Sequence, residues 1–142
     1  MRGIVIHPAM VYERDGGVLA RFRDDLSILG RVRVFGNESI RWPMVHRVDI
    51  GELYALALER APRGAAYNGA AVDSITVGAL ARAMARRAGV ETTPLVRSIE
   101  EGVAELGEWV RGYVIDQRMS GAKARRELQW SPVHTDPVAD LA

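Results

Sequence analysis

The sequence of 142 residues predicts an α/β fold. Short apolar runs alternate along the chain with longer segments of helical periodicity, in the order strand, helix, strand, helix, strand, helix, which is typical of α/β proteins. Capping residues stand where several of the helical segments begin. The run Gly3–Ile6 is apolar at every position, as in a parallel strand that is buried on both faces.

The first strand and helix lie within the first 30 residues. The strand Gly3–Ile6 is predicted to end at His7-Pro8, because proline has no N–H for a ladder. A loop through Asp15-Gly16-Gly17 follows, and apolar spacing then predicts a helix over Val18–Leu29 with Gly30 as its C-cap. The predicted buried face of that helix is Leu19, Phe22, Leu26 and Leu29, with Arg21, Arg23, Asp24 and Asp25 mostly opposite.

The middle of the chain contains two further strand and helix signals. Val32–Phe35 alternates and predicts a short strand. Asp49 is predicted to be the N-cap of a helix that runs to Arg60, with Glu52 completing a capping box and Leu53, Leu56 and Ala57 buried. Ala65–Asn68 is a predicted strand.

Three more helices are predicted in the second half. Their N-caps are Thr76, Ser98 and Ser120, because each hydroxyl precedes a segment with helical spacing. The predicted ranges are Thr76 to Ala88, Ser98 to Trp109 with Glu101 in a capping box, and Ala122 to Leu128, followed by a polar tail.

Composition indicates a single domain over residues 1–142 in the cytoplasm. The chain has 48% hydrophobic and 26% charged residues and a net charge of +1, so no strong field attracts nucleic acid or an anionic membrane. It has no cysteine, which excludes disulfides and thiolate metal sites and is usual in a reducing compartment. No apolar run approaches the roughly 20 residues that span a bilayer.

The three histidines, His7, His46 and His134, show no spacing typical of metal ligands, so no metal site is predicted. His46 stands three residues before Asp49, and its side chain is expected to bond to local backbone.

Four segments resemble the extended short-chain dehydrogenase/reductase family, the NAD(P)-dependent epimerases, dehydratases and reductases. They follow the family's order. Met119–Pro132 resembles its closing Ser-x-x-Lys-Ala-x-x-x-Leu-Gly-Trp-x-Pro segment. The others are His7–Tyr12, similar to Arg-Pro-x-x-Val-Tyr; Trp42–Asp49, similar to Trp-x-x-Val-His-Val-x-Asp, with Leu53–Glu59 after it; and Ile75–Ala81, similar to Thr-x-x-Glu-Leu-Ala.

The resemblance implies the C-terminal part of a Rossmann-like parallel sheet with a small, mostly helical substrate lobe. It also implies that NAD or NADP contacts the turn formed by Pro8, Ala9, Met10 and Val11, and that a small or sugar-nucleotide substrate contacts Tyr12 and Trp42. These contacts fit the rule that ligands bind at the carboxyl ends of strands in open α/β sheets.

Two sequence signatures of that family, one for cofactor binding and one for catalysis, are not found in these residues. There is no glycine-rich dinucleotide motif, and none of the four tyrosines is followed by lysine four positions later. Such a lysine lowers the pKa of the catalytic phenol toward working pH. We therefore expect that this chain by itself is not catalytic and binds NAD(P) poorly.

Three interpretations follow from these patterns. The chain is a truncated, split or degenerate oxidoreductase, whose dinucleotide-binding half comes from elsewhere. Alternatively, it is a non-enzymatic interaction or self-associating module that uses the edge of the Gly3–Ile6 strand. The third interpretation is ligand binding without chemistry near Pro8 and Trp42.

Overall fold

A computed structural model describes residues 3–14 and 16–141 and confirms the α/β class. Asp15, in the predicted loop, lies outside the described residues. The strands are β1 (Val5–Pro8), β2 (Met10–Glu13), β3 (Gly16–Gly17), β4 (Arg33–Phe35), β5 (Arg41–His46), β6 (Ala66–Gly69), β7 (Val72–Thr76) and β8 (Leu95–Arg97). The helices are α1 (Ala20–Leu29), α2 (Arg47–Arg60), α3 (Val77–Arg87), α4 (Ile99–Leu106), α5 (Val110–Tyr113), α6 (Ala122–Leu128) and α7 (Pro137–Leu141).

The strands form three small sheets. β1 and β6 pair in parallel, as do β4 and β8. The third sheet has the order β3-β2-β5-β7, in which only β2 and β5 are parallel. Among the described residues, no helix is both long and apolar enough to cross a bilayer.

The mixed sheet separates two hydrophobic cores. Along β5, Met44 belongs to the first core and its neighbour Val45 to the second, because successive side chains of a strand point to opposite faces. The first core is enclosed by α1, α3 and α7, and the second by α2, α6 and Trp130. β5 is therefore buried on both faces.

The β1–β6 pair is covered on one face only. Tyr67 and Gly69 are buried on the side of α2 and α6, and a Cβ at Gly69 would overlap the Ile50 side chain of α2. Lys123 of α6 donates to the Ala66 carbonyl oxygen at 3.0 Å. On the other face, residues are exposed along both strands: Val5, His7, Ala66 and Asn68.

β1 also has an open edge. Val5 N–H donates to Ala65 O and Ala9 N–H to Gly69 O, so alternate residues of β1 face β6. The backbone groups of Ile6, between them, face the other way, where no strand of the described residues pairs with β1. Because parallel sheets are normally covered on both faces, the apolar Gly3–Ile6 run meets only part of the surroundings that its composition predicts.

Several helix signals are confirmed. Gly30 caps α1 in the left-handed conformation with φ 66°. Thr76 Oγ1 accepts from Ala79 N–H at the start of α3, and Ser98 and Glu101 form the expected capping box of α4. Side-chain caps of this kind each contribute about 1 kcal/mol to the free energy of unfolding.

Other helix predictions were wrong. The N-cap of α2 is His46, and Asp49 lies inside the first turn, fully buried. The helix after Ser98 ends at Leu106, because Gly107, with φ 104°, turns the chain before α5. Ser120 Oγ bonds Ala122 N–H, but the capping position of α6 is Gly121.

The strands β2, β3, β5, β7 and β8 were not predicted, and β3 lies where a loop was expected. β5 contains Pro43, which argues against a central strand because proline cannot donate to a ladder. The structure accommodates it with a shift of register against β7 between Trp42 and Met44. This bulge in the β5–β7 pairing allows β5 to contain a proline although the strand is buried on both faces.

Candidate functional site

The predicted cofactor turn lies where β1 passes into β2. Pro8 ends β1 beside Gly69, the last residue of β6, at the carboxyl ends of two parallel strands. Pro8 is exposed, Ala9 is buried, and Met10 and Val11 are half-buried within β2. That Pro8–Val11 contact a nicotinamide cofactor stays a prediction, but their position is where open α/β sheets bind ligands.

The two predicted substrate residues lie in the first core. Tyr12 is 1% exposed, and its hydroxyl donates to Asp140 Oδ2 at 2.6 Å. Trp42 is 2% exposed, and its Nε1–H donates to the carbonyl oxygen of Tyr113 at 2.8 Å. Their contact with a substrate stays a prediction, and it requires a movement that uncovers the rings.

The environment of Tyr12 opposes acid–base chemistry by its hydroxyl near neutral pH. Burial and the hydrogen bond to Asp140 both raise the pKa of Tyr12 far above its ordinary value. A catalytic tyrosine needs the opposite shift, which a neighbouring cation provides. Tyr12 is therefore a packed and hydrogen-bonded residue in this conformation.

Surface grooves lie elsewhere on the chain. One of about 370 Å³ between α1 and α3 is bordered by Arg23, Leu26, Met84 and Arg87, among others. None of its lining residues is a predicted site residue. Trp42 borders an internal cavity of about 10 Å³, which is barely large enough for one water molecule.

The tertiary structure brings together a group of side chains that sequence spacing did not identify. His46 and His134 stack with ring centroids 3.8 Å apart, and His134 Nδ1 lies 3.0 Å from Asp49 Oδ2. Tyr12 meets the His46 ring edge-on at 5.3 Å. Tyr12 lies opposite His46 in the β2–β5 ladder, and Asp49 follows in α2. The segment before α7 passes over α2 and adds His134.

The expectation that His46 bonds to local backbone is confirmed. Its Nδ1 accepts a hydrogen bond from Val48 N–H at 3.3 Å and thereby caps α2. This bond requires an unprotonated Nδ1, so the neutral ring carries its proton on Nε2.

His46, Asp49 and His134 also contain the donor types of a metal site. One ligand atom from each lies within 4.8 Å of the others. However, the Asp49 oxygens accept N–H bonds from Val133 and His134, and the lone pair of His46 Nδ1 caps α2. The geometry therefore favours a hydrogen-bonded cluster over a metal centre.

Comparison with solved structures identifies the fold. The human epimerase family protein SDR39U1 (isoform 2), solved with NADPH, superposes with a TM-score of 0.81 and 19% identity over 99% of this chain and 47% of its own. UDP-glucose 4-epimerase of Thermotoga maritima, solved with UDP-glucose, has a TM-score of 0.74 and 21% identity over 99% of this chain and 44% of its own. The chain therefore has the Rossmann-like α/β fold of these proteins and spans less than half their length.

Comparison of sequences adds one relative. The uncharacterized protein C2A9.02 of Schizosaccharomyces pombe is 30% identical over 107 residues, which are 75% of this chain and 36% of that protein. No protein-family profile matches the chain.

Proposed function

We propose that this chain is the substrate-binding C-terminal portion of an NAD(P)-dependent epimerase, dehydratase or reductase-like protein. It acts on a small-molecule or sugar-nucleotide substrate only when combined with a dinucleotide-binding portion. That portion belongs either to the same longer polypeptide or to a partner chain.

The open edge and bare face of β1–β6 carry the proposal. A two-stranded parallel sheet that is covered on one face has backbone groups along β1 that no described strand pairs, and Val5 is half-exposed on its uncovered face. Parallel sheets of α/β enzymes continue beyond two strands and bear helices on both faces. The solved epimerases, whose chains extend well beyond the superposed part, support such a continuation.

The roles of individual residues follow from that arrangement. With further strands beside β1, the turn Pro8–Val11 would lie at the carboxyl edge of a larger sheet and contact the nicotinamide end of NAD or NADP. The pyrophosphate cradle would come from the other portion, because a glycine-rich loop before a helix binds it. Tyr12 and Trp42 would border the substrate after the lobe opens.

A chimera tests this proposal. In the chimera, the part of human SDR39U1 that this chain does not match is followed by this chain. We expect the chimera to show saturable, micromolar NADPH binding, measured by fluorescence. The isolated chain is expected to show none. In the chimera, Val5→Lys should weaken binding by at least about tenfold, because it places a charge at the buried junction.

Two results would contradict the proposal. Saturable micromolar NADPH binding by the isolated chain would mean that the cradle is present after all. A folded chimera that binds NADPH equally well with wild-type Val5 and with Val5→Lys would mean that the β1–β6 sheet is not the junction.

The same open edge supports a second function, a non-enzymatic module that associates with itself through β1. We expect sedimentation velocity to show association that increases with concentration and decreases in Val5→Lys. Val96→Lys is the matched control, because Val96 is similarly exposed on the other two-stranded sheet, β4–β8. A monomer at all concentrations excludes this second function.

A further inference from the structure

The last described residues form a strap that crosses both cores. We define the strap as residues 131–141, which follow Trp130 of the second core and end with Leu141 in the first core. Trp130, which precedes the strap, and Leu141, its last residue, are at most 1% exposed. The strap therefore connects the two hydrophobic cores on either side of the mixed sheet.

Asp49 fastens the strap in its middle. Its side chain is fully buried in the first turn of α2, where the helix dipole favours a negative charge. Oδ1 accepts from Val133 N–H at 3.0 Å, and Oδ2 accepts from His134 N–H at 3.0 Å. The ring nitrogen Nδ1 of His134 is a third partner, also at 3.0 Å.

His46 contacts both elements of this attachment, the strap and α2. Its ring stacks on His134, while its Nδ1 caps the helix that carries Asp49. Both rings are partly exposed, so protons reach them from solvent. His134 Nδ1 lies 3.0 Å from Asp49 Oδ2, so this ring is held by a carboxylate while His46 is held by a backbone N–H.

A proton on His46 has a direct structural effect. It occupies Nδ1, because Nε2 already carries the proton of the neutral ring, and it therefore removes the acceptor that caps α2. It also places a positive charge on a ring stacked at a centroid separation of 3.8 Å against His134. We propose that the strap is a proton-controlled latch, closed while His46 is neutral and released when His46 is protonated.

Other titratable or charged groups lie on each element packed against the pair. Tyr12 and Glu13 lie on β2, Arg47 begins α2, and Asp136 and Asp140 belong to the strap. Arg47 is paired with Glu13, with Nε and Oε2 2.6 Å apart. Asp140 accepts from Tyr12 at 2.6 Å and lies near enough to attract a proton to His46.

The balance of these groups sets the direction of the pH effect. Burial, followed by the nearby His134 ring, lowers the pKa of His46 below its ordinary value. The unfolded or released chain therefore binds a proton on this ring more readily than the closed strap does. The closed state is fully stable above the ordinary histidine pKa of about 6.5 and loses stability as pH falls below it.

Hydrogen exchange at the Val133 and His134 amides tests the latch, because both donate to Asp49. After correction for intrinsic exchange, we expect the opening constant of the wild-type strap to rise below pH 6.5, by up to about tenfold per pH unit. In His46→Asn the rise should disappear, since asparagine caps helices and carries no titrating ring. His7→Asn, at an exposed histidine of β1, should behave like the wild type.

Equal pH dependence in the wild type and His46→Asn, or none in the wild type, would overturn the proposal. If His46→Asn fails to fold, the NMR titration of His46 in the wild type decides instead. The latch requires that the His46 ring and the Val133 amide titrate together, and separate midpoints refute it.

Discussion

Replacing Trp130 with alanine is expected to lower the free energy of unfolding by about 3–5 kcal/mol, the usual cost of truncating a buried tryptophan. The ring is 1% exposed in the second core, and its Nε1–H donates to the carbonyl oxygen of Asp49 at 2.9 Å. Truncation leaves a cavity and removes this hydrogen bond where the strap begins. Urea unfolding followed by far-UV circular dichroism measures the change.

Trp109→Ala is the matched control for this substitution. Trp109 is 47% exposed and contacts Tyr113 edge-on at 5.0 Å, so its removal should cost less than about 1 kcal/mol. Domains of this kind have a free energy of unfolding of about 5–15 kcal/mol, so Trp130→Ala removes a large part of it. Equal losses in the two variants would show that Trp130 does not anchor the second core.

The second large effect is expected for Asp25→Ala, at about 3–5 kcal/mol. Asp25 is 1% exposed and holds two arginines: Oδ2 bonds Arg21 Nη1 at 2.8 Å, and Oδ1 bonds Arg33 Nη2 at 2.6 Å. It also accepts from Arg33 N–H at 2.9 Å. Alanine leaves the largely buried guanidinium group of Arg21 without its carboxylate, and Arg33 keeps its bond to Glu105 at 2.6 Å. Thermal and urea unfolding measure the loss.

The neighbouring residue provides the control. Asp24 is 57% exposed and pairs with the exposed Arg23 at 2.8 Å, so Asp24→Ala should change stability by about 0–1 kcal/mol. The two substitutions remove the same group one position apart on α1. Asp25→Ala within 1 kcal/mol of Asp24→Ala would contradict the structural role given to the buried carboxylate.

Asp25 also shows where periodicity misleads. Sequence spacing placed it opposite the buried face of α1 and placed Leu29 within that face. In the structure Asp25 is buried and Leu29 is 47% exposed. Arg33, eight residues away in β4, provides the partner that makes burial of the carboxylate possible, and a helical pattern contains no information about it.

Only part of the candidate site was predicted from the sequence, for the same reason. The position of Pro8 at the carboxyl end of a parallel strand followed from the apolar run before it. The burial of Tyr12 and Trp42 did not, because it depends on Asp140 and Tyr113, which are 128 and 71 residues away. No local signal indicated that His134 would stack on His46.

By itself, the sequence determined what neighbouring residues decide: the α/β order, the caps at Thr76 and Ser98, and the glycine that ends α1. These depend on backbone and side-chain bonds within a few residues. Only the tertiary structure decided that Asp49 fastens the strap instead of capping a helix and that β5 tolerates a proline between two cores. A buried polar group takes the partners that folding brings to it, and those partners are distant in sequence.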